Sequence, residues 1–180
     1  MARLPLVSEA VSPEVAAVYA EVAASRGRVL NVYRALGHAP EGLRRLAAVG
    51  EYARFHTRLG GRLRELVTMA TAGVNRCQYE WTQHVPLART AGVSDAEIEA
   101  LGDRRVPDGL SPLERAAVRY VQELARERRV ADLTFAELRA HLDARQITDL
   151  TLLTGFYTAL GFALNAFDVD LEPGQAPLLQ

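Results

Sequence analysis

Eighteen consecutive residues without a charged side chain, Leu150 to Phe167, constrain this chain more than any other feature. A helix of that length approaches the roughly 20 residues needed to span a bilayer. The stretch must therefore lie either in a membrane or in a core. Thr151, Thr154, Tyr157, Thr158 and Asn165 punctuate it, and its flanks carry no basic asymmetry. A single span would also leave the amphipathic helices elsewhere in the chain without a partner. The expectation is a helix apolar on all sides, central to a core or to a subunit interface, with no membrane partner. Gly155 and Gly161 suit close helix approach there, although each costs about 1 kcal/mol relative to alanine.

The rest of the chain reads as further helices, and no run of alternating polar and apolar residues argues for a strand. Ser12, Pro13 and Glu14 supply a capping hydroxyl, a proline for the first turn and an acid beside it, predicting a helix through about Ala24. A loop with Gly27 follows. Pro40 and Glu41 open another helix, in which Leu43, Leu46, Ala47 and Gly50 share a face, and Gly60 and Gly61 close it near Arg58. Ser94 with Glu97, Ser111 with Glu114 and Thr134 with Glu137 have capping-box spacing and mark three more starts. Gly92 stops the helix that carries Cys77, and the segment from Gly102 to Gly109 with Pro107 forms the longest irregular connection. Leu63 to Leu87 and Gln146 to Val169 are both long apolar blocks that follow a shorter amphipathic helix, as in a loosely duplicated helical unit. The fold class is all-α, in one domain covering residues 1–180.

Composition narrows the chemistry. With 49% apolar residues and 24% charged, 180 residues describe a soluble globular domain. A net charge of −1 argues against nucleic acid as a partner. All 21 basic residues are arginine, which fits a high-GC bacterial genome. Without lysine there is no Schiff-base catalysis, no lysine-anchored pyridoxal cofactor and no P-loop lysine. The single cysteine excludes an internal disulfide, and the first residues lack the apolar run of a signal peptide, so the cytoplasm is the expected compartment.

That one cysteine sits in the segment where the chemistry concentrates. Glu65, Cys77, Glu80 and His84 fall within 20 positions of one another, with Tyr79 and Trp81 among them. On one helix, seven residues return His84 to within roughly 20° of Cys77 around the axis but about 10 Å along it. Glu80 is one turn before His84, and Trp81 is expected to pack beside both Cys77 and His84. A carboxylate–imidazole pair beside a thiol is one reading. A buried cysteine, a core tryptophan and a solvated Glu–His pair fit the same spacing. His38, His56 and His141 are isolated, and no His or Cys pair has zinc spacing, so neither a metal nor any other cofactor is expected.

At these residues the chain resembles the superfamily that joins carboxymuconolactone decarboxylase to alkyl hydroperoxidase D (AhpD). The hydroperoxidase pattern is a glutamate, eleven residues, then Cys-x-x-Cys-x-x-x-His. Glu65, Cys77 and His84 occupy matching positions, while Glu80 replaces the second cysteine and Tyr79 replaces a relay histidine. The local string is similar to a Glu-Tyr-Glu-Trp-x-x-His variant described as carboxymuconolactone decarboxylase-like. Segments around Leu30 to Pro40, Ala91 to Ile98 and Asp149 to Tyr157 extend the resemblance over nearly the whole chain.

The resemblance implies an AhpD-like helical bundle, assembled as a trimer or larger ring, acting on a small molecule. It further implies cofactor-independent decarboxylation or a related proton transfer on a lactone or keto acid. His84 would be the general acid, oriented by Glu65 and Glu80, with Cys77 a weak donor or pocket lining. Arg64 and Arg76 are candidates for binding substrate carboxylates, although solvated arginines fit the same positions, and Asn31, Tyr79, Trp81 and Tyr157 are candidate substrate-binding groups lining the pocket. Two alternatives stand beside this: a single-cysteine peroxidase using Cys77, its thiol activated by a helix N-terminus and Arg76, and a noncatalytic oligomer that binds a small acid. The best-known decarboxylase of the family is shorter and lacks the Tyr-Glu-Trp-x-x-His string, so its substrate does not carry over.

Overall fold

The computed structural model describes residues 2–179. After a short 3-10 turn at Glu9–Val11 come the helices α1 (Pro13–Arg26), α2 (Asn31–Leu36), α3 (Pro40–Phe55), α4 (Gly61–Val74), α5 (Gln78–Thr90), α6 (Asp95–Gly102), α7 (Pro112–Glu127), α8 (Asp132–Arg139) and α9 (Ala144–Phe167). No strand occurs among the described residues. The all-α expectation holds, and most helix starts follow from local chemistry. Ser12 caps α1, and Ser94–Glu97 and Ser111–Glu114 form reciprocal capping boxes on α6 and α7.

Thr134 does not start a helix. It lies inside α8, where its hydroxyl donates to Glu123, while Glu137 pairs with Arg119. The box that the sequence reading missed belongs to Asp143 and Gln146, which cap α9 with an aspartate in place of the hydroxyl.

Helix α4 is the centre of the molecule. Between Leu63 and Gly73 only Arg64 escapes burial, and α5, α7 and α9 pack around it. The block Leu63 to Leu87 is not one helix, because α4 ends at Val74. Arg76 then adopts a left-handed conformation (φ 49°), and Cys77 caps α5 in an extended one. A non-glycine residue in that region costs about 1–2 kcal/mol. The turn reverses the chain, so residues of α5 face those of α4.

The charge-free stretch becomes α9, a single unbroken helix. By length and composition it could cross a membrane, but Leu150, Leu153, Phe156, Leu160 and Leu164 lie in the protein core. Asp149, fully buried one residue before the stretch, accepts hydrogen bonds from the Tyr52 hydroxyl (2.5 Å), the Arg58 amide (2.8 Å) and Arg145 Nε (3.0 Å). Gly161 lies against Asn75 and Cys77, where an added Cβ would be 3.5 Å from that of Cys77. Gly155 makes no close approach within the chain, since a Cβ there would meet open space. It belongs to an exposed face that also presents Leu152 and Phe162.

Beyond α9, residues 168–179 form a non-helical tail that returns across α2 and α5. Glu172 accepts from the Asn31 amide (2.7 Å) and the Tyr79 hydroxyl (2.5 Å), and Gln175 accepts from Gln83 (2.6 Å).

Candidate active site

The turn at Arg76 sets up the site. Glu65 projects from α4 and His84 from α5, and Glu65 Oε2 lies 2.9 Å from His84 Nδ1. The other ring nitrogen, Nε2, is 3.6 Å from Oε2 of Glu80, one turn earlier on α5. The imidazole is thus held between two carboxylates, all three residues being 4–6% exposed. A third helix, α9, brings the Tyr157 ring edge-on to the imidazole, with centroids 5.0 Å apart.

The two carboxylates titrate in opposite directions. Burial raises the pKa of Glu80, and the positive charges of His84, Arg26 and Arg54 do not overcome it. Glu65 is also penalised by burial, but the hydrogen bond and charge of His84, with Arg64 and Arg54, hold it below the ordinary carboxylate value. An ionised Glu65 only accepts, which assigns a proton to His84 Nδ1 and leaves Nε2 as the exchangeable position. Glu80 is the buried acid best suited to carry a proton of its own.

Glu80 and His84 open onto a cavity of about 410 Å³. Its walls include Tyr33, Arg54, Phe55, Phe156 and Tyr157, with Arg26 and Arg28 also lining it and Gln175 contributed by the tail. Glu65 stands behind the imidazole and does not line the cavity. Burial outweighs the opposing charge of Arg26 and raises the Tyr33 hydroxyl to about 12. Burial, with Glu80 and Glu65, raises Tyr157 as well, so both rings present neutral hydroxyls.

The other candidate residues, Tyr79 excepted, separate from this centre. Cys77 is 1% exposed, lies against Gly161 and does not line the cavity. Burial, reinforced by the charge of Glu80, pushes its thiol up to about 12, the reverse of the activation expected from a helix N-terminus and Arg76. Arg76 is exposed and outside the cavity, and Arg64 lies beside Glu65 with its Nε 3.7 Å from Oε1, also outside. Trp81 points the other way, packing on Gly73 and Gly102 and lining a separate depression with Leu178 and Leu179. Asn31 ties the tail through Asp170, Leu171 and Glu172, and Tyr79 lines the cavity while its hydroxyl is held by Glu172. Among the described residues no cluster of three His, Cys, Asp or Glu could hold a metal ion.

Arg26, Tyr33, Arg54 and Phe156 were not anticipated. Arg26 and Arg54 occupy the last turns of α1 and α3, where arginines ordinarily answer the helix dipole. No spacing links them to His84, because tertiary packing alone brings them together.

Among the described residues nine helices form the bundle, and a carboxylate-flanked histidine stands beside a pocket within it. Residues 40–123 match the model of the Carboxymuconolactone decarboxylase family. It is 28% identical over 117 residues to the YdfG protein of Bacillus subtilis (strain 168), covering 64% of this chain and 79% of that one. The fold is similar to the AhpD core of a peroxidase-related protein from Ralstonia eutropha JMP134, with a TM-score of 0.80, 21% identity and 98% of each chain covered. It is also similar to the debrominase Bmp8, with a TM-score of 0.75, 15% identity, and 93% and 91% of the two chains covered. The same fold is thus found in proteins described by differing chemistry.

Proposed function

We propose that this protein catalyses cofactor-independent proton transfer of the decarboxylase type on a small lactone or keto acid, with His84 as the general acid/base. The observation that carries the reading is the imidazole fixed at Nδ1 by Glu65 and facing Glu80 at Nε2, on the wall of a pocket of about 410 Å³. In decarboxylation of a β-keto acid the bond to the carboxyl carbon breaks, its electrons enter the carbonyl as an enolate, and CO2 leaves. Glu80 passes its proton to His84 Nε2, the ring delivers it to the α-carbon, and a proton from solvent restores Glu80, so that one proton is taken up for each CO2 released. Glu65 keeps the imidazole in the productive tautomer throughout. Tyr33 and Tyr157 are neutral donors suited to the developing enolate oxygen.

A single-cysteine peroxidase is the second reading, favoured by the peroxidase-related neighbour in fold. The buried, protonated thiol of Cys77 weighs against it. A noncatalytic acid-binding oligomer is the third. The uncharged exposed face of α9, with Leu152, Gly155 and Phe162, suits contact with further copies of the chain in a trimer or larger ring. A soluble, cytoplasmic protein accords with this assembly.

The test is CO2 release and deuterium incorporation from a panel of β-keto acids and lactones, with peroxide consumption in the presence of dithiothreitol as the competing assay. Activity that survives Cys77→Ser and is lost in His84→Ala supports the proposal. Peroxide turnover that disappears in Cys77→Ser would replace it with the second reading, and no turnover of either kind would favour the third.

A further inference from the structure

The charged lining of the cavity is unbalanced in a way that proton transfer does not use. Arg26, Arg28 and Arg54 face it against a single carboxylate, Glu80. Arg28 is exposed at the rim, but Arg26 and Arg54 are half-buried, and neither forms an ion pair among the described residues. Nε and Nη2 of Arg26 are buried without any hydrogen-bond partner. An unmatched buried donor costs about 1–3 kcal/mol, more when charged, so such a group is kept when something else requires it. Neutralising Glu80 is not that requirement, since neither guanidinium lies within ion-pair distance of it.

Aromatic faces hold the two side chains instead. The Arg26 guanidinium lies over Tyr33 at 5.3 Å and near Phe55 at 6.0 Å, and that of Arg54 lies over Phe55 at 5.4 Å. Stacking fixes a guanidinium plane and leaves its edge free to donate, the arrangement in which arginine grips a carboxylate. Gly50 makes room for this, because a Cβ there would lie 2.9 Å from Arg26 Nη2 and collide with the Phe156 ring.

We propose that Arg26 and Arg54 form the subsite for the carboxylate of a small monoanionic substrate, whose body lies between Tyr33, Phe156 and Tyr157 with its reacting carbon toward His84. The substrate class rests on the proton-transfer reading, whereas the anion subsite is testable by binding alone. One negative charge fits better than two. Both arginines lie in the last turns of helices that end at the cavity wall, where the partial negative charge of a helix C-terminus offsets part of the guanidinium charge. This disfavours a phosphate dianion.

The experiment is calorimetric titration of the full chain with benzoate and with acetoacetate, each against its uncharged methyl ester, and with inorganic phosphate. The expected result is a preference of about tenfold or more for each carboxylate over its ester. The preference should fall toward unity in Arg26→Gln and in Arg54→Gln and partly persist in Arg26→Lys. Circular dichroism and thermal melting verify that each variant is folded, and Arg54→Gln carries the test if Arg26→Gln is not. Equal binding of acid and ester, a preference that survives both glutamine variants, no binding of either acid at millimolar concentration, or phosphate binding as tightly as the acids would each overturn the proposal. His84→Ala separates the two ideas: it should abolish turnover and leave the carboxylate preference intact. A preference without wild-type turnover would retain the subsite and reject the proton-transfer chemistry, and turnover without a preference would do the opposite.

Discussion

Two buried acidic centres lie on the same core, one around Asp149 and one around Glu65, Glu80 and His84, and they are built to opposite ends. Asp149 receives an amide, a phenol and a guanidinium, which together overcome its burial and hold it below the ordinary carboxylate value. The protein has left it nothing to do except bind α3 to α9. Glu80 is as deeply buried but approaches only an imidazole at 3.6 Å, beside an open volume, and its pKa is displaced upward. Burial of a carboxylate therefore does not identify an active site. What separates the two is whether the protein already supplies the donors.

The contrast can be broken most directly at His84. Replacing it with alanine should reduce turnover by about 10²–10⁴-fold, the range typical of a general acid/base, as read from initial rates of CO2 release. The melting temperature should change far less than in the next variant. Asp149→Ala should cost about 3 kcal/mol or more in urea unfolding, because it strands the Arg58 amide and the Tyr52 hydroxyl. Its turnover at low temperature should stay near that of the wild type. A catalytic defect in Asp149→Ala as large as that in His84→Ala would erase the distinction.

Within the site, the two glutamates should respond to pH with opposite signs. In the unfolded chain both titrate near the ordinary value of 4.5. Folded Glu80 keeps its proton above that pH, so the folded state binds more protons and loses stability as pH rises through this window. Glu80→Gln removes the penalty and should stabilise the protein at pH 7 by about 1 kcal/mol, a gain that fades below pH 4. Folded Glu65 is depressed, so its contribution is full above 4.5 and lost as pH falls through its folded pKa. Glu65→Gln should accordingly destabilise at pH 7 by about 1 kcal/mol and have little effect in acid. Chemical denaturation at pH 4 and pH 7 measures both.

The smallest effect is expected at Cys77. Its thiol should react with iodoacetamide at pH 8 about 10³-fold more slowly than a free thiol, and Cys77→Ser should leave turnover within about threefold. Rapid alkylation would return Cys77 to the centre of the chemistry.

Helices were legible from the sequence wherever a local device sets them: the hydroxyl caps at Ser12, Ser94 and Ser111, and the charge-free run of α9. The turn at Arg76 was not, because a left-handed arginine carries no compositional mark and the apolar pattern continues through it. The same turn explains why the site was only half visible. Glu80 and His84 are one helical turn apart and could be paired by counting, while Glu65 came from matching a family pattern. Arg26 and Arg54 reach the cavity from helices that begin 65 and 38 residues before α5, at Pro13 and Pro40 against Gln78, so nothing local to the motif announces them. Arg64 and Arg76, nearest to the motif in sequence, face elsewhere.

The returning tail has a practical consequence for anyone altering this protein. Glu172 secures Tyr79 and Asn31, and Gln175 supplies part of the cavity wall. A truncation after Asp168 would widen the pocket mouth and release the Tyr79 hydroxyl without touching the catalytic helices. The tail is thus a handle for retuning the size of the cavity, and the wrong place to trim a sequence for convenience.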